Sequence, residues 1–402
     1  MGTTSEGPST ARQPARVASP VALIVAIAVI CAAGEGILYA NISRTPTGGT
    51  SRALSDPHVV SGVAVGAFPT GIAFDAANGE VFVADSGAAP HLYGNVTVFS
   101  DRNDTVVATI PVGRDPAEVA FDPESGDLYV ANLASNSTSV ISVSAEAVIK
   151  TVECGTYPFG VAYDSGRGEI FVSNEGSRNV TVLSDRSNSV VASIAVGHKP
   201  LGIAYDSNNN EVYVANAGVS PYFNGTVSVI SDRGNDVIAT PSVGSYPDAV
   251  VFDTSSGELF VSNQVSSDVS VLSDLSNDVV VNIPVGVQPE GMVFDPVTGD
   301  VFLADFFDNN VSVISGTSHT VLEKLWVGGG PENLAYDGAR GEIFVTNLYS
   351  GNVSILSDGS PTSTGGSLWA SLHPYEYAIL VVLSIAIGVS LGLLIARATR
   401  RV

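Results

Sequence analysis

Three acids stand at one register of the chain. Asp248, Glu290 and Glu332 each directly follow a proline and lie 42 residues apart. If the fold brings them together, two chemistries suit them. Carboxylates held close raise one another's pKa, as in acid–base pairs, unless a cation intervenes. Oxygen ligands of this kind suit calcium, which is the cofactor and metal site expected here. The simpler alternative is that they line a wetted channel. Catalysis by such acids also needs a base, and the five histidines offer little. Only His91 and His198 fall where a ligand site is expected, and neither has a partner visible in the sequence. No catalytic constellation is therefore read, and a non-enzyme is expected.

What spaces the acids is an internal repeat. The prolines are Pro69, Pro116, Pro158, Pro200, Pro247, Pro289 and Pro331, at intervals of 47, 42, 42, 47, 42 and 42 residues. Six residues after each stands an aspartate, and sixteen after it an Asn or Asp. Both are expected to bond turn amides. Each copy holds four short apolar runs broken by Gly, Ser, Asn and Asp, such as FGVAYD, GEIFVSN, NVTVLSD and SVVASIAV in the third. β-branched and aromatic residues favour strands, and four strands per ~42 residues is the period of a propeller blade. The seventh copy stops at GSPTSTGG without a fourth run, while HVVSGVAV (58–65) is a fourth run with no copy before it. The fold class expected is all-β: a seven-bladed β-propeller closed by an N-terminal strand that completes the last blade.

Composition agrees. Of 402 residues, 45% are apolar and 14% charged, with 41 glycines and 21 prolines, as many short strands and turns require. Two cysteines exclude a disulfide framework. The net charge of −23 repels phosphate backbones, so nucleic acid is not an expected partner.

The ends differ in kind. Residues 377–396 are 20 residues without a charge, with Tyr375 and Tyr377 at one edge and RATRRV at the other. At ~1.5 Å per residue they suit a ~30 Å hydrocarbon layer, so a transmembrane helix is expected over 375–396. Residues 18–40 read equally as a signal peptide or a signal-anchor helix. The domains expected are a cytoplasmic tail (1–17), that segment, a linker (41–57), a propeller ectodomain (58–360), a juxtamembrane linker (361–374), the helix, and a basic cytoplasmic tail (397–402). Sequons at Asn95, Asn103, Asn136, Asn179, Asn224, Asn310 and Asn352, with Asn41 before them, fit an external face.

The motifs VGxxPxGxAFD, GE-[IV]-[FY]-V-x-N and N-V-[ST]-V-x-[SD] resemble the YVTN β-propeller repeats of archaeal surface-layer and related envelope proteins. The name-giving tetrad appears as YVAN (129–132, 213–216) and FVTN (344–347). The resemblance spans all seven copies and implies a cell-surface propeller. It implies no catalytic residue, because the shared motif is the blade itself.

Residues common to seven copies do one local job seven times, so function should lie where copies differ. Two copies carry five extra residues, which place His91, Tyr93, Tyr222 and Phe223 on raised loops. The variable pair of VGxxP adds Phe68, Tyr157, His198, Lys199 and Tyr246 on the same face. Exposed aromatics in such loops suit an envelope protein, a glycan or a second copy of the chain, or loops folded down on neighbouring blades. The function expected is a membrane-anchored surface module for binding, adhesion or scaffolding. The alternative is a calcium-assisted hydrolase or lyase that uses the acids.

Overall fold

Each copy folds as one antiparallel sheet, because its runs are short and its turn residues reverse the chain. The computed structural model describes residues 56–88 and 93–360. In the third blade the strands run Pro158–Asp164, Glu169–Asn174, Asn179–Ser184 and Ser189–Ala195, from the axis outwards. Seven such sheets follow one another, so the chain is an all-β, seven-bladed propeller. In the seventh, Pro331–Asp337, Glu342–Asn347 and Asn352–Ser357 come from one copy. The outer strand is His58–Ala64, antiparallel to Asn352–Ser357, with His58 opposite Ser357 and Ala64 opposite Asn352.

Between neighbouring blades lie seven apolar clusters among the described residues. One joins Val63, Phe344 and Val353 of the last blade to Val81, Val83 and Phe99 of the first. Each blade thus has its two faces covered by its neighbours, and the second strands read as continuous apolar runs for that reason.

The repeated polar residues hold the blades in shape. In all seven copies the amide two residues on donates to the repeated aspartate at 2.7–2.8 Å, as expected for a turn. The repeated asparagine differs from expectation. It reaches sideways: Asn132, Asn174, Asn216, Asn263 and Asn347 donate to a hydroxyl of the third strand at 2.9–3.0 Å. The glycine of each VGxxP passes over that side chain, where a Cβ would collide with it, as at Gly113 over Asn132. This explains why the third residue before each proline is always glycine.

The segments 1–17, 18–40, 361–374, 375–396 and 397–402, and most of 41–57, lie outside the described residues. Both expected membrane segments are therefore among them. Within the described residues no helix is long and apolar enough to cross a membrane.

Candidate functional site

Every inner strand opens with a bulge. Pro158 pairs with Asn174 and Val161 with Val172, so two residues, Phe159 and Gly160, oppose one, Ser173, and the other six blades repeat this. Bulges re-aim side chains. The second residue after the proline is Gly71, Gly160, Gly202 and Gly291 in four blades and Ala249 in a fifth. A Cβ at Gly160 or Gly202 would run into the carbonyl of Leu201 or Asp248 on the next inner strand. Only two blades place a polar side chain there, Glu118 and Asn333. The two meet, with Asn333 Nδ2 donating to Glu118 Oε1. Beside them is a cavity of about 150 Å³ lined by all seven inner strands, including Ile72, Val161, Ile203, Val250 and Met292. Burial pushes the Glu118 carboxyl up to about 8, against the pull of Asn333 and the Val119 amide.

Of the three acids in the neighbouring register, two are buried and Glu332 is half-buried. Asp248 and Glu290 are 7% and 6% exposed. Glu290 accepts from Gln264 Nε2 and Gln288 Nε2, one on each oxygen, both at 2.6 Å. Asp248 is hydrogen-bonded to it as well. Burial and then the Glu290 charge push Asp248 well above the usual aspartate range, and burial pushes Glu290 up as well, so the two titrate as a pair. Glu332 is pushed up by burial and by Glu290 and Glu118, and its Oε2 is buried with no hydrogen-bond partner.

Calcium at Asp248, Glu290 and Glu332 stays an expectation. Among the described residues no group of three or more His, Cys, Asp or Glu could hold a metal ion. Amide N–H groups occupy both oxygens of Glu290, and a calcium ion there would need six or more oxygen ligands.

The residues before the prolines share one conformation. Phe68, Asp115, Tyr157, Lys199, Tyr246 and Gln288 have φ of 53–57° and Gly330 has 66°. Left-handed backbone is uncommon for such side chains. It is held because the carbonyl of each accepts the amide just after the second strand, at 2.7–3.1 Å in all seven blades. The face is thus displayed rigidly. Phe68 and Tyr157 are exposed at 41% and 48%, and His198 is exposed. Lys199 is engaged instead, with Nζ 3.0 Å from Glu175 and 5.9 Å from the centre of the Tyr246 ring. Phe223 folds down edge-on against Tyr246, at 5.4 Å between centroids, whereas Tyr222 and Tyr93 stand out. His91 lies outside the described residues.

Two groups escaped sequence reasoning. One is Glu118 and Asn333, whose signal was the lost glycine of VGxxPxG. The other is an aromatic shelf on the last two blades, where Phe306 packs edge-on against Phe307 and Tyr349 at 5.2 and 5.3 Å. Tyr349 lies against the Gly329–Gly330 turn, the copy without side chains in that loop.

The sequons divide by exposure. Asn103, Asn136 and Asn224 are exposed, while Asn95, Asn179 and Asn352 are half-buried. Asn310 is 3% exposed, and its Nδ2 donates to the Asp308 carbonyl.

Neither a family model nor a curated protein matches the chain. Among solved structures 1567 chains match, a number that fits a fold put to many uses. One is hydrazine synthase from Kuenenia stuttgartiensis, with a TM-score of 0.65 and 16% identity over 77% of this chain and 98% of that one. At that identity the likeness carries the fold alone, a β-propeller.

Proposed function

We propose that the protein is a cell-surface propeller anchored in the membrane, which acts by binding through the face that carries the VGxxP loops. The observation that carries this reading is the rigid display of unlike side chains there. Phe68, Tyr157, Lys199 and Tyr246 stand in a strained, stapled conformation that each blade repeats with a different residue. Scaffold positions repeat their residue; contact positions vary it. The resemblance to YVTN surface-layer repeats supports an envelope role, and the apolar segment 375–396 supports the anchor. Partners of fitting chemistry are an envelope protein, a glycan or another copy of the chain. Glycans on the protein itself suit the exposed Asn103, Asn136 and Asn224. Short-range cross-linking on intact cells tests the reading, with identification of what attaches at Lys199. An envelope partner or a second copy supports it. Cytosolic proteins alone as the attached species would refute it.

A second reading rests on one observation, the buried hydrogen bond between the Asp248 and Glu290 carboxyls. Two carboxyls split into acid and base can drive hydrolysis or elimination. Turnover by the purified chain that vanishes in Glu290→Gln would favour this reading over a pure binding role.

A further inference from the structure

We propose that the aromatic shelf on the sixth and seventh blades is a subsite for a neutral sugar, a β-linked hexose ring with equatorial hydroxyls. The inference rests on the binding reading above and names the ligand class for one part of the same face.

At the two positions after the repeated Asn or Asp, only the sixth and seventh blades carry aromatic residues, Phe306, Phe307 and Tyr349. Phe306 is buried and acts as the pin. Phe307 and Tyr349 meet it edge-on, at 79° and 66° between ring planes, so both are held at fixed angles. Even so they stand 59% and 65% exposed. Large rings left bare side by side mark a contact surface.

The loop beside them is cleared to match. The first variable residue of VGxxP is Ala67, Arg114, Thr156, His198, Ser245 or Val287 in six copies and Gly329 in the seventh. Sterics do not demand this glycine. A Cβ there would meet Ser350, Tyr349 and Asn309 at 3.4–3.8 Å, ordinary contact distances. Gly330 differs, since a Cβ on it would come within 2.9 Å of the Tyr349 ring. Tyr349 thus fills the place of one missing side chain, and the place of the other stands open next to it.

Polarity decides what suits that gap. Lys324 Nζ lies 3.6 Å from Asp305 and 3.9 Å from Asp308, and Asp308 also accepts the Val287 amide, so the charges of this corner satisfy one another. Gly329 N donates to Ser350 Oγ and Gly330 N to Asn309 Oδ1. Both side chains are exposed, which leaves the Ser350 hydroxyl hydrogen and Asn309 Nδ2 to donate to a ligand. The shelf therefore offers ring faces and neutral donors. A hexose with equatorial hydroxyls is the complement: a flat face of C–H bonds, drawn to the negative face of an aromatic ring, and a rim of acceptor oxygens. A charged ligand finds no counter-ion here. An extended peptide needs a row of pockets, where the seventh copy opens one.

The test is calorimetric titration and saturation-transfer NMR of the purified full chain with cellotetraose, with sorbitol as the acyclic control. The expected result is saturable binding of cellotetraose alone, with the strongest transfer to its axial C–H protons. Affinity should weaken at least tenfold in Tyr349→Ala and in Gly329→Thr. The second change copies the third blade, so its melting temperature should match that of the native chain while its side chain fills the gap. No saturable binding, an equal response to sorbitol, or undiminished binding in folded Gly329→Thr overturns the proposal. Should a variant not fold, discrimination of cellotetraose from sorbitol by the native chain still decides. Absence of sugar binding alongside envelope cross-links would remove this subsite and leave the surface reading standing. Sugar binding with only cytosolic cross-links would do the reverse.

Discussion

The second-strand position that is asparagine in five blades is aspartate in two, and the difference can be weighed. Asp85 is 1% exposed and accepts from Thr97 Oγ1 at 2.6 Å. Burial pushes its carboxyl from the ordinary 3.8 up to about 6, outweighing the bonds from Thr97 and Gly66. Between those two values the folded chain holds a proton that the unfolded chain has lost, so stability falls as pH rises through this window. The full loss is about two pK units at about 1.4 kcal/mol each, or about 3 kcal/mol, reached above pH 7. Asp85→Asn removes it. The other blades show that an amide fits, since Asn132 and its equivalents donate to the hydroxyl that stands where Thr97 does. Urea unfolding of both proteins at pH 4 and pH 8 measures the effect. The variant should be more stable by about 0.5 kcal/mol at pH 4 and about 3 kcal/mol at pH 8. A gap that does not widen with pH, or a variant weaker at pH 8, refutes the reasoning. Asp305→Asn should gain less, because Lys324 Nζ lies 3.6 Å from Asp305 Oδ2 and offsets part of the burial.

Glu118→Gln should flatten the decline in stability that the native chain shows as pH rises from 4.5 to 8, since its raised carboxyl is a second group of the same sign; parallel pH profiles for the two would contradict this. Millimolar calcium or a chelator should leave the melting temperature of the propeller unchanged, and a calcium-dependent rise would place a metal site at the axis. Val63→Asp puts a carboxylate at a 5% exposed position of the closing strand, between Phe344 and Val83, and should cost about 3 kcal/mol or more, read by denaturant unfolding.

Repetition decided what could be read in advance. The prolines, aspartates and glycines recur because each does one backbone job per blade, so seven copies fix the propeller and its blade boundaries from spacing alone. The asparagine shows where spacing stops. Its recurrence marks it as structural, but its sideways bond depends on a third-strand hydroxyl 7 or 12 residues away, which only the register reveals. The site is the harder case. Asp248, Glu290 and Glu332 share a register and do converge, yet their partners Gln264 and Gln288 come from two blades and from two different registers. Whether an acid meets water, a proton or an amide depends on those neighbours, so the acids alone could not reveal the amide donors. Glu118 and Asn333 are 215 residues apart and join only because the ring brings the second and seventh blades to one axis.

The pairing of His58–Ala64 with Asn352–Ser357 also sets how the disc answers a pull. His58 faces Ser357, so the chain enters and leaves at the same rung of the ladder. A force drawing residues 57 and 358 apart loads that rung alone, then the next, as in opening a zipper. Loads carried through the blades act on many rungs at once and meet far greater resistance. Tension between the two ends is thus the direction in which the ring is mechanically weakest. A carrier that held both ends at one place would leave this seam unloaded while the rim bore shear.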